Sequence, residues 1–237
     1  MDTFAELISA VQSDLNVGSE SSLFPLATVK LAINRAYINK VAALFRWPET
    51  KDAKTTSTNS GIDYYDYPQK FRTNSMYKLV IDGVRYGLEP DGSPMEFTDF
   101  LNWKEDGISS TDKRWSDYQR KIFISPTPTS NGTNNMDVYG YKVPDKLTSD
   151  SDVTVFSYST PECNEAIVLE AVAVLKSKGE NEKSSQFRSV EAKQMLISAW
   201  DRIKKESAKS EKIEPFFEVP DFFGGTSSKD MRGRFDI

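Results

Sequence analysis

Two pairs of closely spaced carboxylates, Asp63 with Asp66 and Asp150 with Asp152, are the groups of this chain best suited to acid–base or metal chemistry. Side by side, two carboxylates can share a proton or hold a hard cation. The same spacing is ordinary in solvated turns and edge strands, and the supporting chemistry is missing. The 237 residues contain no histidine, the commonest general base and zinc ligand. The single cysteine, Cys163, permits no internal disulfide and no thiolate metal cluster. It falls in the first turn of a predicted helix, where a thiol pKa can drop, but there is no imidazole to pair with it. Neither GxxxxGK[ST] nor GxGxxG occurs, and Gly224-Gly225 is only a flexible pair. The expectation is no catalytic residue, no cofactor, no metal and no enzymatic activity.

Stacking is the second chemistry on offer. Tyr64, Tyr65, Tyr67, Tyr77, Tyr86, Tyr118, Tyr139, Tyr141 and Tyr158 all lie in one section of the chain. Aromatics on a sheet can stack bases or sugars, yet they are also ordinary strand formers. Lys and Arg are not concentrated beside them, and the net charge is −5, which argues against wrapping nucleic acid. Core or subunit packing is the expected role, with a carbohydrate-binding fibre module as the alternative.

The third chemistry is apolar docking. After Ala208 come 29 residues without helical or strand period, carrying Phe216, Phe217, Phe222, Phe223 and Phe235. Tails of this kind are usually poor in aromatics. Pro215 and Pro220 stiffen the segment, and in an extended chain successive Phe side chains point to opposite sides. Burying the two Phe pairs offers about 6–12 kcal/mol gross, against the entropy of ordering the segment. Lys229, Arg232 and Arg234 could pair with carboxylates of a partner. The expected partner-binding residues are therefore Phe216, Phe217, Phe222, Phe223, Arg232, Arg234 and Phe235. Fully extended, the arm reaches about 100 Å at most.

The elements that would carry these groups follow from periodicity. Thr3 and Glu6 form a capping box, and Phe4, Leu7, Ile8, Val11 and Leu15 share one helical face, closed by Gly18. Pro25 opens a second helix that ends at Trp47-Pro48. Residues 50–61 are polar and turn-forming, a crossing into another layer. Strands are predicted at 62–67, 76–81, 84–88, 119–125, 136–143 and 152–158, with Asp82-Gly83 as a hairpin turn and a short helix at 96–103. Thr160-Pro161-Glu162 starts a third helix that is apolar on two faces and so central to a bundle. A fourth starts near Ser184, with Phe187, Val190, Met195, Leu196, Ala199, Trp200 and Ile203 expected inward. The fold class is α+β: a helical bundle of two helix pairs (1–54 and 159–208), an inserted antiparallel β domain (55–158) and an extended C-terminal arm (209–237).

Charge is uneven along this order. Residues 176–212 hold ten Lys/Arg and six Asp/Glu, a balance of +4, so the remainder sums to −9. Such asymmetry suits head-to-tail contacts between different faces of like subunits. The N-terminus is acidic and amphipathic rather than a signal peptide, and no apolar run reaches the length of a membrane span. Asn131-Gly132-Thr133, a glycosylation sequon by pattern, is read as a turn.

The helical hairpin with its Trp47-Pro48 stop, the segment Tyr67-Pro68-Gln69-Lys70-Phe71, the hairpin MYKLVIDGVRYGLE, the later helix pair and the long arm together form a layout. It resembles the head-to-tail adaptor (connector) proteins of tailed bacteriophages, in particular those of short-tailed viruses. The resemblance implies a structural virion protein: a ring of twelve copies beneath the portal, lining the DNA channel, with the C-terminal arm docked on the portal. It implies as partners the portal protein, tail or nozzle proteins and further copies of the chain. Genomic DNA would pass without specific binding, and no membrane would be involved. The place implied is the neck or tail region of a virion assembled in the host cytoplasm. The β insertion exceeds that of minimal adaptors, which suggests extra contacts with a nozzle or fibres. The alternative is another neck or tail component, a head-closure or tail-tube protein.

Overall fold

The computed structural model describes residues 2–17, 23–88, 92–106, 112–177 and 182–211. Residues 209–211, expected to open the arm, continue the last helix to Glu211; the rest of the arm, 212–237, with the partner-binding residues expected on it, lies outside the described residues. The chain falls into two compact units, Met1–Trp200 and Asp201–Ile237. The first holds nearly all the described structure and is α+β.

The helical layer begins with α1 (Phe4–Leu15). Thr3 accepts from the Glu6 amide and the Glu6 carboxylate accepts from the Thr3 amide, the capping box expected from sequence. Phe4, Leu7, Ile8 and Val11 are buried. The helix stops at Asn16 in the left-handed region, one of the few residues that enter it readily, and not at Gly18. Next comes α2 (Leu26–Arg35), which runs through a π turn (Ala36–Val41) into α3 (Ala42–Leu44). The carbonyls at this helix end need partners from elsewhere. The buried Trp47 indole donates to Val41 O at 2.9 Å, and Arg72 supplies the partner for Ala42 O. The Trp47-Pro48 stop is thus a folded-back cap as well as a proline boundary. Trp47 also packs edge-on against Phe45, Phe156 and Trp200. α5 (Glu162–Ser177) is central, buried against α1, α2 and the π turn. α6 (Glu182–Glu211) meets it through Ser189 Oγ, which donates to the buried Glu170 at 2.8 Å.

Among the described residues between the helices are seven strands: β1 (Lys51–Thr56), β2 (Tyr64–Asp66), β3 (Lys78–Ile81), β4 (Val84–Tyr86), β5 (Arg114–Tyr118), β6 (Lys121–Ser125) and β7 (Met136–Tyr141), with α4 (Phe97–Glu105) after β4. They form two antiparallel sheets, ordered β1-β7-β3-β4 and β2-β6-β5. Leu79, Ile81, Met136 and Val138 from the first sheet and Tyr65, Trp115, Ile122 and Ile124 from the second share one buried cluster. The Asp82-Gly83 hairpin is present, with both residues at positive φ as a type I′ turn requires.

Three segments differ from the sequence reading. Residues 51–56 are an edge strand paired with β7, not a crossing; their Lys and Thr side chains face water, so no apolar alternation marks them. β5 pairs with β6 across Gln119-Arg120, both at positive φ, a turn without the Gly or Asn that signals one. Residues 152–158 contribute only a bridge from Val153 to Thr3 followed by turns, with Phe156 driven into the helical core.

The Tyr67–Phe71 segment is where the β section closes on itself. The Tyr67 hydroxyl lies 2.6 Å from Arg72 O and 3.0 Å from Asp117 Oδ2, and it accepts from Ser75 N at 3.2 Å. Phe71 is buried over Gly140 of β7, where a Cβ would stand 2.8 Å from its ring.

Candidate interaction surface

Three of the four paired carboxylates make structural contacts. Asp63 bonds Lys104 at 2.5 Å and Asp150 bonds Lys30 at 2.8 Å. Asp152 accepts from the amides of Thr148 and Ser149, which hold its carboxyl below the usual range. Cys163 is fully buried in the first turn of α5. Thr160, expected to cap α5, instead directs its hydroxyl to the Glu49 carboxylate, which Ser159 also reaches at 2.6 Å. Among the described residues no cluster of His, Cys, Asp and Glu is arranged to hold a metal ion.

The tyrosines are closer to cations than the sequence suggested. Lys51 sits 5.6 Å from the Tyr77 ring, Lys78 4.9 Å from Tyr139, Lys121 4.5 Å from Tyr64 and Arg120 5.2 Å from Tyr67. Pairing across strands creates this proximity: Lys78 lies opposite Tyr139 in the register of β3 and β7. A cation held over a ring occupies the face that a base or sugar would stack on. These contacts tie Tyr64, Tyr67, Tyr77 and Tyr139 to neighbouring strands and turns.

The surface with unassigned capacity lies on the helices. A groove of about 770 Å³ runs between α1, α5 and α6. Leu7, Val168, Leu169 and Met195 are among its apolar residues. Its charged residues are the six carboxylates Asp2, Glu6, Asp14, Glu162, Glu165 and Glu191, against one guanidinium, Arg188. Arg188 spans the groove, 3.5 Å from Asp14 and 3.4 Å from Glu191.

On α6, the sequence-predicted inner side divides in two. Ala192, Leu196 and Ala199 are buried, with Met195 and Trp200 half-buried. Phe187 and Val190, expected inside, are 70% and 53% exposed, and Ile197 is 50% exposed. At 100° per residue, Phe187, Val190 and Ile197 make a stripe on the side of the helix away from Ala192 and Ala199. Seven apolar residues over four turns looked like one broad face, but they serve two. The groove gave no signal in the sequence, because its walls join residues 2–14 to residues 161–195.

No helix among the described residues is long and apolar enough to cross a membrane. No curated protein matches the chain. The model of one protein family, described as SU10 adaptor protein, matches residues 2–212, from α1 through the end of α6. The chain belongs to the SU10 adaptor protein family and is a structural adaptor protein of phages.

Proposed function

We propose that this adaptor joins the portal to the tail of a short-tailed virion as a ring of twelve copies that lines the DNA channel. Membership of the adaptor family over residues 2–212 is the observation that carries this reading. The two helix pairs, 1–54 and 159–208, form the body that packs side by side in the ring. The β section, 55–158, faces neighbouring tail or nozzle proteins. The arm, 209–237, docks on the portal through Phe216, Phe217, Phe222, Phe223 and Phe235, with Arg232 and Arg234 meeting partner carboxylates. DNA passes without specific contact, consistent with a net charge of −5. The protein acts in the virion neck, after assembly in the host cytoplasm, and carries out no reaction.

Mass measurement of the purified chain bound to its portal tests the copy number. Twelve chains per portal ring support the reading; a bound monomer or dimer contradicts it.

A further inference from the structure

We infer that the outer stripe of α6 on one copy seats in the groove between α1, α5 and α6 of a second copy, forming the head-to-tail contact of the ring. This rests on the ring reading and names the surfaces that would build it.

Three observations carry it. The first is shape. The stripe Lys183, Phe187, Val190, Gln194 and Ile197 points away from the buried side of α6, whereas the groove uses Arg188, Glu191 and Met195 on the inner side. A closed ring of like subunits needs two different surfaces that fit each other, and this bundle presents two. The second is apolar content. Phe187 at 70% exposure and Val190 at 53% form an unpartnered ridge, and the groove offers Ala10, Val168 and Met195. Aromatic and aliphatic anchors entering an apolar pocket are the usual centre of a stable interface. The third is charge. The stripe carries Lys183 and no carboxylate, with Lys193 beyond one edge and Glu191 beyond the other. The groove carries six carboxylates against one arginine. Opposite signs on the two faces steer association, and they disfavour the like-face pairing that would stop at a dimer.

The contact is tested on the full chain by light scattering over a concentration series. Phe187→Ser with Val190→Ser removes the ridge; both side chains are exposed, so far-UV circular dichroism and Tm are expected to match wild type. Self-association is expected to weaken roughly tenfold or more. A charge variant refines the test: Lys183→Glu sets a carboxylate on the ridge against the acidic groove and should weaken self-association, whereas Lys183→Arg should leave it at wild-type strength. Assembly of the Ser variant or of Lys183→Glu at wild-type strength overturns the contact. If the wild-type chain itself stays monomeric at every concentration and on the portal, the ring reading falls and this contact with it.

Discussion

Arg72, in the β section, donates from its guanidinium to the main-chain carbonyl of Ala42, the residue that opens the last helical turn before the Trp47-Pro48 stop, at 2.5 Å. Burial lowers the pKa of Arg72 from its ordinary value, the cost of placing a cation where a helix-end carbonyl needs a donor. This one bond ties a strand connection to the end of the helical hairpin. Arg72→Ala is expected to lower stability by about 1.5–3 kcal/mol, since the bond is charge-assisted and the carbonyl is left without its partner. Urea unfolding measures it. A change under about 0.5 kcal/mol, the size of an ordinary surface substitution, contradicts the assignment.

Trp47 makes the companion bond to Val41 O and fills the centre of an aromatic group with Phe45, Phe156 and Trp200. Trp47→Phe keeps most of the packing and loses the donor, so about 1–3 kcal/mol is expected. Trp47→Ala adds a cavity and should cost about 3–5 kcal/mol. A Trp47→Phe loss near zero beside a large Trp47→Ala loss would mean that the indole N–H contributes nothing.

Gly140 permits the approach of Phe71 to β7. An added Cβ would stand 2.8 Å from the Phe71 ring and 3.2 Å from Met76. Gly140→Ala is expected to cost about 1–3 kcal/mol through overpacking. Phe71→Leu should relieve part of that cost in a double-mutant cycle, because the two sites touch. Strict additivity would show that the ring is not the obstacle.

Alkaline pH should unfold the protein through its tyrosines. Burial raises the pKa of Tyr37 to about 12, and it also raises those of Tyr67, Tyr77 and Tyr86. The folded chain holds these protons more tightly than the unfolded chain, whose tyrosines titrate near pH ~10. Stability is therefore complete below about pH 10 and falls as pH rises from there through about 12, by up to roughly 1.4 kcal/mol per pH unit from Tyr37. Tyr37→Phe should flatten that part of the profile, at a cost of about 1–3 kcal/mol for the acceptor that Val155 N loses. A pH profile for Tyr37→Phe as steep as wild type between pH 10 and 12 contradicts the assignment.

Legibility in the sequence followed how local the physics is. The capping box at Thr3 and Glu6, the Asp82-Gly83 turn and the doubly buried α5 were readable, because each rests on residues within a turn or two of each other. β1 was not, because an edge strand of Lys and Thr lacks a buried face to reveal its period. The Gln119-Arg120 turn escaped because its positive φ values are imposed by pairing of β5 with β6 rather than by residue preference. Phe187 and Val190 were read as inward because helical spacing reports a face without saying which neighbour covers it. The cation–tyrosine pairs are products of strand register, invisible to a scan along the chain.

The arm, 209–237, carries the proposed portal contact. Portal binding should be compared for the full chain, a chain ending at Glu211 and a full chain with Phe216, Phe217, Phe222 and Phe223 changed to Ser, by titration on the assembled portal. The expected result is that both altered chains keep the circular dichroism and Tm of the body and bind the portal roughly tenfold more weakly or worse. Binding of either one at the strength of the full chain contradicts the proposed role of the arm.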